Sequence, residues 1–337
     1  MAGLLDPIVI NDVRLRNRIV MAPMNLNMSG PNGEVSQKQV EHYVACAANV
    51  GLVIVEFTFV SQQGRISSGQ LGIHNNGLIP GLRKLVGAIH RTGASVVIQL
   101  GHGGAKATKA TCGDQPVAPS AIIISNARHA AQTEMPRALS RSEIAEIVKD
   151  FGEAADRAIE AGFDGVELHG CHGYLLNQFM SPLTNHRDDE YGGDPERRLR
   201  FPLDVIHEVK RRLGNSHLIL YRFPVDDLMP GGLAIEQTLS IAPRVENAGV
   251  SIIDVSGGLG SSVTLGPDWK EQGTFISMAQ RIKGVVRVPV IGVGNITDPR
   301  FADKVVREGR VDMVAIGRAL LADANWATKA AKTLGSG

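Results

Sequence analysis

Eight short runs of apolar and β-branched residues alternate with stretches of helical period along this chain, and such alternation leaves few folds open. The runs are Arg18 to Met21, Gly51 to Thr58, Ser95 to Leu100, Gly165 to Leu168, Leu218 to Phe223, Ile252 to Ser256, Val288 to Val293 and Val311 to Ile316. Helical period covers Ser36 to Asn49, Pro80 to Thr92, Ser142 to Ala161, Glu196 to Leu213, Glu236 to Ala248, Glu271 to Gly284 and Asp298 to Glu308. End signals agree: Ser142 precedes an acidic, apolar-periodic run, Pro299 sits in a first helical turn, and Gly162, Gly214, Gly249 and Gly309 follow helix ends. Strand–helix alternation demands parallel pairing through right-handed crossovers, and near-continuous apolar strands suit a closed barrel better than an open sheet. The expected fold is α/β, a (β/α)8 TIM barrel forming one domain over residues 1–337, with a doubly wound sheet as the alternative.

Two segments stand outside the repeat. Ile8 to Arg16, with an Asn11-Asp12 turn, is expected to form an N-terminal hairpin cap on the barrel bottom. About forty residues from Gly101 to Ser140 separate the third strand from the next helix, a length usual for a functional lid. That connection belongs over the C-terminal mouth, where such barrels do their chemistry.

Composition narrows the function. Hydrophobic residues make up 43% and charged residues 20% of the chain, which suits a globular protein with a large core. A formal net charge of +1 gives no electrostatic basis for nucleic-acid binding. No apolar run approaches the roughly 20 residues of a membrane span, and the start lacks the marks of a signal peptide, so a cytoplasmic enzyme is expected. Cys46, Cys112 and Cys171 form no C-x-x-C pair, which leaves reduced thiols as the expectation.

Strand endings are therefore the positions to read. Gly292, Gly294 and Gly317 follow the seventh and eighth strands, where bare backbone N–H groups can hold a phosphate with Arg318 adding charge. His169 and His172, three apart beside Tyr174, could serve as metal ligands, a general base or neutral hydrogen-bond donors. Metal-assisted hydrolysis lacks a completed ligand shell: the first strand ends in Pro23-Met24, the fifth in Arg222 and the eighth in Gly317. Arg222 needs an anionic partner, either an internal acid such as Glu56 or Glu167 or a ligand that becomes negative. A sugar-phosphate lyase or isomerase would share the glycine site but would want a catalytic Lys or Glu, and no Lys stands at a strand end.

The run SPLTNHRDDEYGGDPERRLRF from Ser181 to Phe201, preceded by AGFDGVELHGCHGYLLNQF, resembles the Old Yellow Enzyme family of FMN-dependent NAD(P)H oxidoreductases. NRIVMAPM near the start, QGRI from Gln63, QLGHGGAKA from Gln99 and APSA from Ala118 match as well, so the resemblance spans essentially the whole chain. It implies FMN across the mouth, with Pro23, Met24 and Asn25 beside the ring, Gln99 on its pyrimidine edge and Arg222 near N1. Gly292, Gly294, Gly317 and Arg318 would hold the phosphate. His169 and His172 would bind a substrate oxygen, and Tyr174 resembles the proton donor in ene-reductase chemistry. There, NAD(P)H reduces the flavin and a small electrophile, such as an enone or nitroalkene, then receives hydride. The Asp188 to Arg198 charge run reads as a solvated loop with helix-capping acids.

Two positions depart from the family pattern. Asn25 stands where relatives carry Cys or Thr, and Asn27 where the bacterial branch places a substrate-binding Tyr. Weak sensitivity to thiol reagents is expected in consequence. Larger relatives continue into an iron–sulfur portion, and the expectation here is direct reduction by NAD(P)H at the same site. A flavin-binding protein without turnover is a further alternative, and a homo-oligomer is compatible with all of these readings.

Overall fold

The computed structural model describes residues 2–124, 134–260 and 271–335. Eight parallel strands close in chain order: β3 (Ile19–Met21), β4 (Leu52–Phe59), β5 (Ser95–Gly101), β8 (Gly165–His169), β9 (Leu218–Pro224), β10 (Ile252–Ser256), β11 (Val290–Gly292) and β12 (Met313–Ile316). The last strand pairs back onto the first, Val314 opposite Ile19 and Ile316 opposite Met21. Every residue of β4, β8, β9 and β10 is buried, as expected of strands covered on both faces. Strand bounds stay within a residue or two of the apolar runs: β11 and β12 begin two residues inside theirs, whereas β5, β8 and β9 continue one residue further toward the C-terminal mouth.

Period-two alternation sorts each strand. Val20, Leu52, Ile54, Val97, Leu218, Leu220, Ile252, Ile291 and Met313 belong to the buried cluster that fills the barrel interior. Their neighbours Ile19, Val53, Val96, Ile219 and Ile253 pack outward against the helices. The ring consists of α1 (Gln37–Cys46), α2 (Ile79–His90), α4 (Arg141–Ala161), α6 (Pro195–Leu213), α7 (Ile235–Asn247), α8 (Ile276–Lys283) and α9 (Pro299–Arg307). Helix α4 starts on Ser140 rather than near Ser142: the Ser140 hydroxyl accepts from the Glu143 N–H while Glu143 bonds back to Ser140 N, a capping box. It ends on Gly162 at φ 97°, a conformation that costs glycine nothing.

The hairpin β1 (Ile8–Ile10) and β2 (Val13–Leu15) turns on Asn11 at φ 50°. Its Ile10 and Leu15 join the interior cluster beside Leu52, Leu218 and Ile252, which begin or nearly begin their strands. The 101–140 connection is more ordered than a bare loop: its described part holds α3 (Lys109–Cys112) and a two-stranded sheet of β6 (Val117–Ala118) with β7 (Arg137–Ala138). Residues 125–133 of that connection lie outside the described residues. Three further helices, α5 (Leu175–Met180), α10 (Arg318–Ala322) and α11 (Trp326–Gly335), escape periodicity because two are under two turns and one lies beyond the last repeat. Among the described residues no helix is long and apolar enough to cross a membrane.

The Asp188 to Arg198 charge run is solvated at Asp188 and over residues 193–197 and supplies the expected helix-capping acid, and its Asp189 and Arg198 are in addition part of a clamp. Arg187 makes a two-pronged pair with Asp189 at 2.5 and 2.9 Å and donates to the carbonyls of Pro119 and Leu139, tying the 101–140 connection down. Asp194 caps α6 by accepting from Arg197 N, and Arg198 holds the Met180 and Gly193 carbonyls.

Candidate active site at the barrel mouth

The interior changes character toward the C-terminal ends of the strands. The inward positions that are aliphatic low in the barrel, such as Val97, Leu220 and Ile252, are followed two residues on by Gln99, Arg222 and Asp254. Glu167 and His169 continue the same face of β8. All five polar side chains are buried, at 5% exposure or less. Strand register sets them side by side: Gln99 is opposite Glu167, His169 opposite Arg222 and Arg222 opposite Asp254.

Arg222 has an internal anionic partner, and it is Asp254, whose Oδ2 accepts from Nη1 at 2.5 Å. Glu167 accepts from Gln99 Nε2 at 2.7 Å. Glu56 takes no part. A register shift between Val55 and Thr58 turns it toward Leu26 N at 2.8 Å and Gln39 at 3.0 Å. The pairing does not exhaust the guanidinium, because Arg222 Nε is buried without a partner.

His169 and His172 lie edge to face, with ring centroids 5.2 Å apart, and Tyr174 sits 4.9 Å from His169 and 4.5 Å from Phe57. Both imidazoles are held well below their usual range, first by burial and then by the neighbouring charges of Arg222 and Lys106, so each is a neutral ring with one donor and one acceptor. His172 shares a 2.8 Å hydrogen bond with Ser256 Oγ, while His169 Nδ1 is buried without a partner. The turn carrying them is strained, with His172 at φ 61° followed by Gly173 at φ 67°. Side-chain bonds hold it: Lys106 Nζ donates to the His172 carbonyl at 2.5 Å, Gly173 N donates to Asn177 Oδ1 at 2.7 Å, and Gln178 Nε2 donates to the Gly173 carbonyl at 2.8 Å.

Lys106 is a residue that strand-end reasoning missed. It follows β5 by five positions in the turn Gly104–Lys106, within the QLGHGGAKA stretch, and its ammonium also reaches the Leu259 carbonyl and lies 5.1 Å over the Tyr174 ring. A lysine therefore does stand at the mouth. Burial pushes it down to about 8. Asp254 and Ser256 were also missed, although their alternation on β10 was a usable signal.

On the remaining side, Pro23 and Met24 are half-buried while Asn25 and Asn27 are exposed just past β3. Asn27, at φ 53°, accepts from Ser67 Oγ at 2.5 Å. A Cβ on Gly317 would come within 3.0 Å of Met24 Sδ, so the β12 end and the Pro23–Asn25 turn share one wall. Gly292 has a packing reason of its own, since a Cβ there would meet Ile276 at 2.5 Å and Val311 at 2.7 Å. Gly294 adopts φ 128° and half-exposed Gly317 precedes exposed Arg318.

A separate cavity of about 440 Å³ lies at the opposite end of the barrel, lined by Val9, Asn11, Lys210 and Arg287 among others. None of the strand-end polar residues reaches it. The mouth is marked instead by unsatisfied groups: His102 Nε2, Glu167 Oε2, His169 Nδ1, Arg222 Nε and Asp254 Oδ1 are five of the eight buried side-chain polar atoms without a partner among the described residues. Such a concentration signals a ligand or a displaced proton. A flat, polar-edged cofactor suits Arg222 Nε and the neutral histidines, and a phosphate suits the glycines beside Arg318.

Comparison with known proteins agrees. The family model described as NADH:flavin oxidoreductase / NADH oxidase family matches residues 3–336. An NADPH dehydrogenase of Geobacillus sp. (strain WCH70) is 38% identical over 99% of this chain and 95% of its own length. An NADH oxidase of Thermoanaerobacter brockii is 44% identical over 95% of this chain, which spans 49% of that longer protein. The Old Yellow Enzyme homologue from Zymomonas mobilis superimposes with a TM-score of 0.84 at 26% identity, covering 98% of this chain and 93% of that one. The chain belongs to the NADH:flavin oxidoreductase / NADH oxidase family, the Old Yellow Enzyme group, and is an FMN-dependent oxidoreductase with NAD(P)H as its reductant.

Proposed function

We propose that this protein reduces the activated C=C bond of a small electrophile, an enone, nitroalkene or related compound, with Tyr174 as proton donor. The observation that carries the reading is the neutral histidine pair beside Tyr174, with His169 Nδ1 left unpartnered in a buried setting. FMN, when bound, supplies two-electron transfer from NAD(P)H to the electron-poor carbon. Arg222 and Gln99 would hold its pyrimidine edge, Pro23, Met24 and Asn25 would flank the ring, and Gly292, Gly294, Gly317 and Arg318 would hold its phosphate.

His169 and His172, being neutral, donate N–H bonds to a carbonyl or nitro oxygen without presenting an acid that would be consumed. Negative charge developing on that oxygen is stabilised further by Arg222 and Lys106, both of which already act on the rings. Tyr174 delivers a proton to the carbon next to the activating group, its ring fixed between Phe57 and His169. Asn27, exposed at the rim, offers an amide to the far side of the substrate. The 101–140 connection, tied to the mouth through Lys106, serves as the lid.

Replacing Tyr174 by Phe tests the assignment. Alkene reduction should slow by about a hundredfold or more, the usual contribution of a positioned acid, while reduction of the bound flavin by NAD(P)H stays nearly unchanged in stopped-flow traces. Equal losses in both half-reactions would remove Tyr174 from the proton-donor role.

A further inference from the structure

Beneath the histidine pair, Gln99, Glu167, Arg222 and Asp254 form a chain whose hydrogen bonds do not close as drawn. Gln99 Nε2 donates to Glu167 Oε1 at 2.7 Å and Arg222 Nη1 donates to Asp254 Oδ2 at 2.5 Å. The other oxygen of each acid, Glu167 Oε2 and Asp254 Oδ1, is buried with no partner. Yet the two carboxyl groups are within hydrogen-bonding contact of each other. An ionised carboxylate only accepts, so two such groups facing each other away from water repel and leave two acceptors unsatisfied.

We infer that Glu167 is a neutral carboxylic acid in the folded protein and donates its Oε2–H to Asp254 Oδ1, acting as a positioning residue for Arg222. One proton satisfies both orphaned oxygens and completes the line Gln99 to Glu167 to Asp254 to Arg222. Its location follows from charge. Asp254 touches the guanidinium and gains from staying ionised, whereas Glu167 pairs through Oε1 with an uncharged amide. Burial and the Asp254 charge both favour the protonated form of Glu167, against the weaker opposing pull of Arg222.

The resulting cluster carries one positive and one negative charge and is neutral overall, which a site closed to water tolerates. An ionised Glu167 would leave a net negative charge beside Arg222 and oppose the charge that Arg222 is placed to stabilise. That consequence rests on the FMN reading above. The protonation itself does not, and the experiment separates the two.

Infrared difference spectra of the protein with and without FMN, comparing wild type with Glu167→Gln, read the proton directly. The wild type should show a protonated carboxyl band that moves in D₂O, persists from pH 5 to 9 and is absent from the variant in both forms. Superimposed wild-type and variant spectra in that region overturn the assignment, whether or not FMN binds. Asp254→Asn gives an independent check if E167Q does not fold: with Asp254 uncharged, Glu167 ionises toward Arg222, so the same band should vanish although Glu167 is present. Retention of the band in D254N contradicts the shared proton. In FMN titrations E167Q, whose amide replaces the O–H donor, should bind within about twofold of wild type, while Glu167→Leu, which strands Asp254 Oδ1, should bind about tenfold more weakly or worse. Tighter binding by E167Q, as loss of a negative charge would cause, also overturns the proposal.

Discussion

Lys106 makes the site sensitive to pH through one ammonium group. Burial lowers it from 10.5 to about 8, so the folded protein binds fewer protons than the unfolded chain between those values. Stability therefore rises with pH across that window, and the cost of the buried charge, about 3 kcal/mol, is fully present below pH 8. Function runs the other way. Above pH 8 the charge over Tyr174 and the charge-assisted bonds to His172 and Leu259 weaken, so the substrate half-reaction should slow, while Lys106→Arg should hold its rate to higher pH. Superimposable pH profiles for the two proteins would contradict this role. Cys171 lies fully buried with its thiol pushed up to about 12 by burial, so iodoacetamide should leave the native enzyme active. Stoichiometric alkylation of Cys171 with complete inactivation would count against it.

At this scale the sequence was legible where a residue type needed explaining: Arg222, the histidine pair and Gln99 do lie together in the structure. Asp254 was not legible as the partner of Arg222, because one acid on one strand looks like any other until register places it alongside. Lys106 was hidden by its distance from the strand end in sequence, which a tight turn erases in space.

Among the elements, the clamp after α5 offers the sharpest stability test. The hydrogen bonds of Arg187 hold the Asp189 carboxyl down to about 2 from 3.8. A depressed acid stabilises the fold above its unfolded value and loses that contribution as pH falls through the folded one, here between about pH 4 and 2. Asp189→Asn should cost about 2 kcal/mol in denaturant melts at pH 7 and much less at pH 2; an equal effect at both would show the ion pair to be idle. Close packing gives a second test. A Cβ on Gly101 would come within 1.7 Å of the Phe57 ring, which in turn braces His169 and Tyr174. Gly101→Ala should therefore reduce alkene turnover more than FMN affinity, and a variant with unchanged turnover would contradict the bracing. The eight strands were legible because burial on both faces writes a continuous apolar run. The order inside 101–140 was not, since two-residue strands and a four-residue helix leave no period to read.

For the whole molecule, the barrel converts a sequence repeat into a chemical gradient, aliphatic where the hairpin closes the interior and polar where β5, β8, β9 and β10 end. That gradient is why strand endings were the informative positions; the cavity at the other end is lined by none of the strand-end polar residues. In the proposed function this mouth passes electrons from a nicotinamide through FMN to an electrophile. Anaerobic titration of the FMN-loaded protein, followed by flavin absorbance, tests it most directly. One FMN per chain should be bleached by NADH or NADPH, and its colour should return when an enone or nitroalkene is added. A protein that holds no FMN, or holds one that neither nucleotide bleaches, would contradict the account.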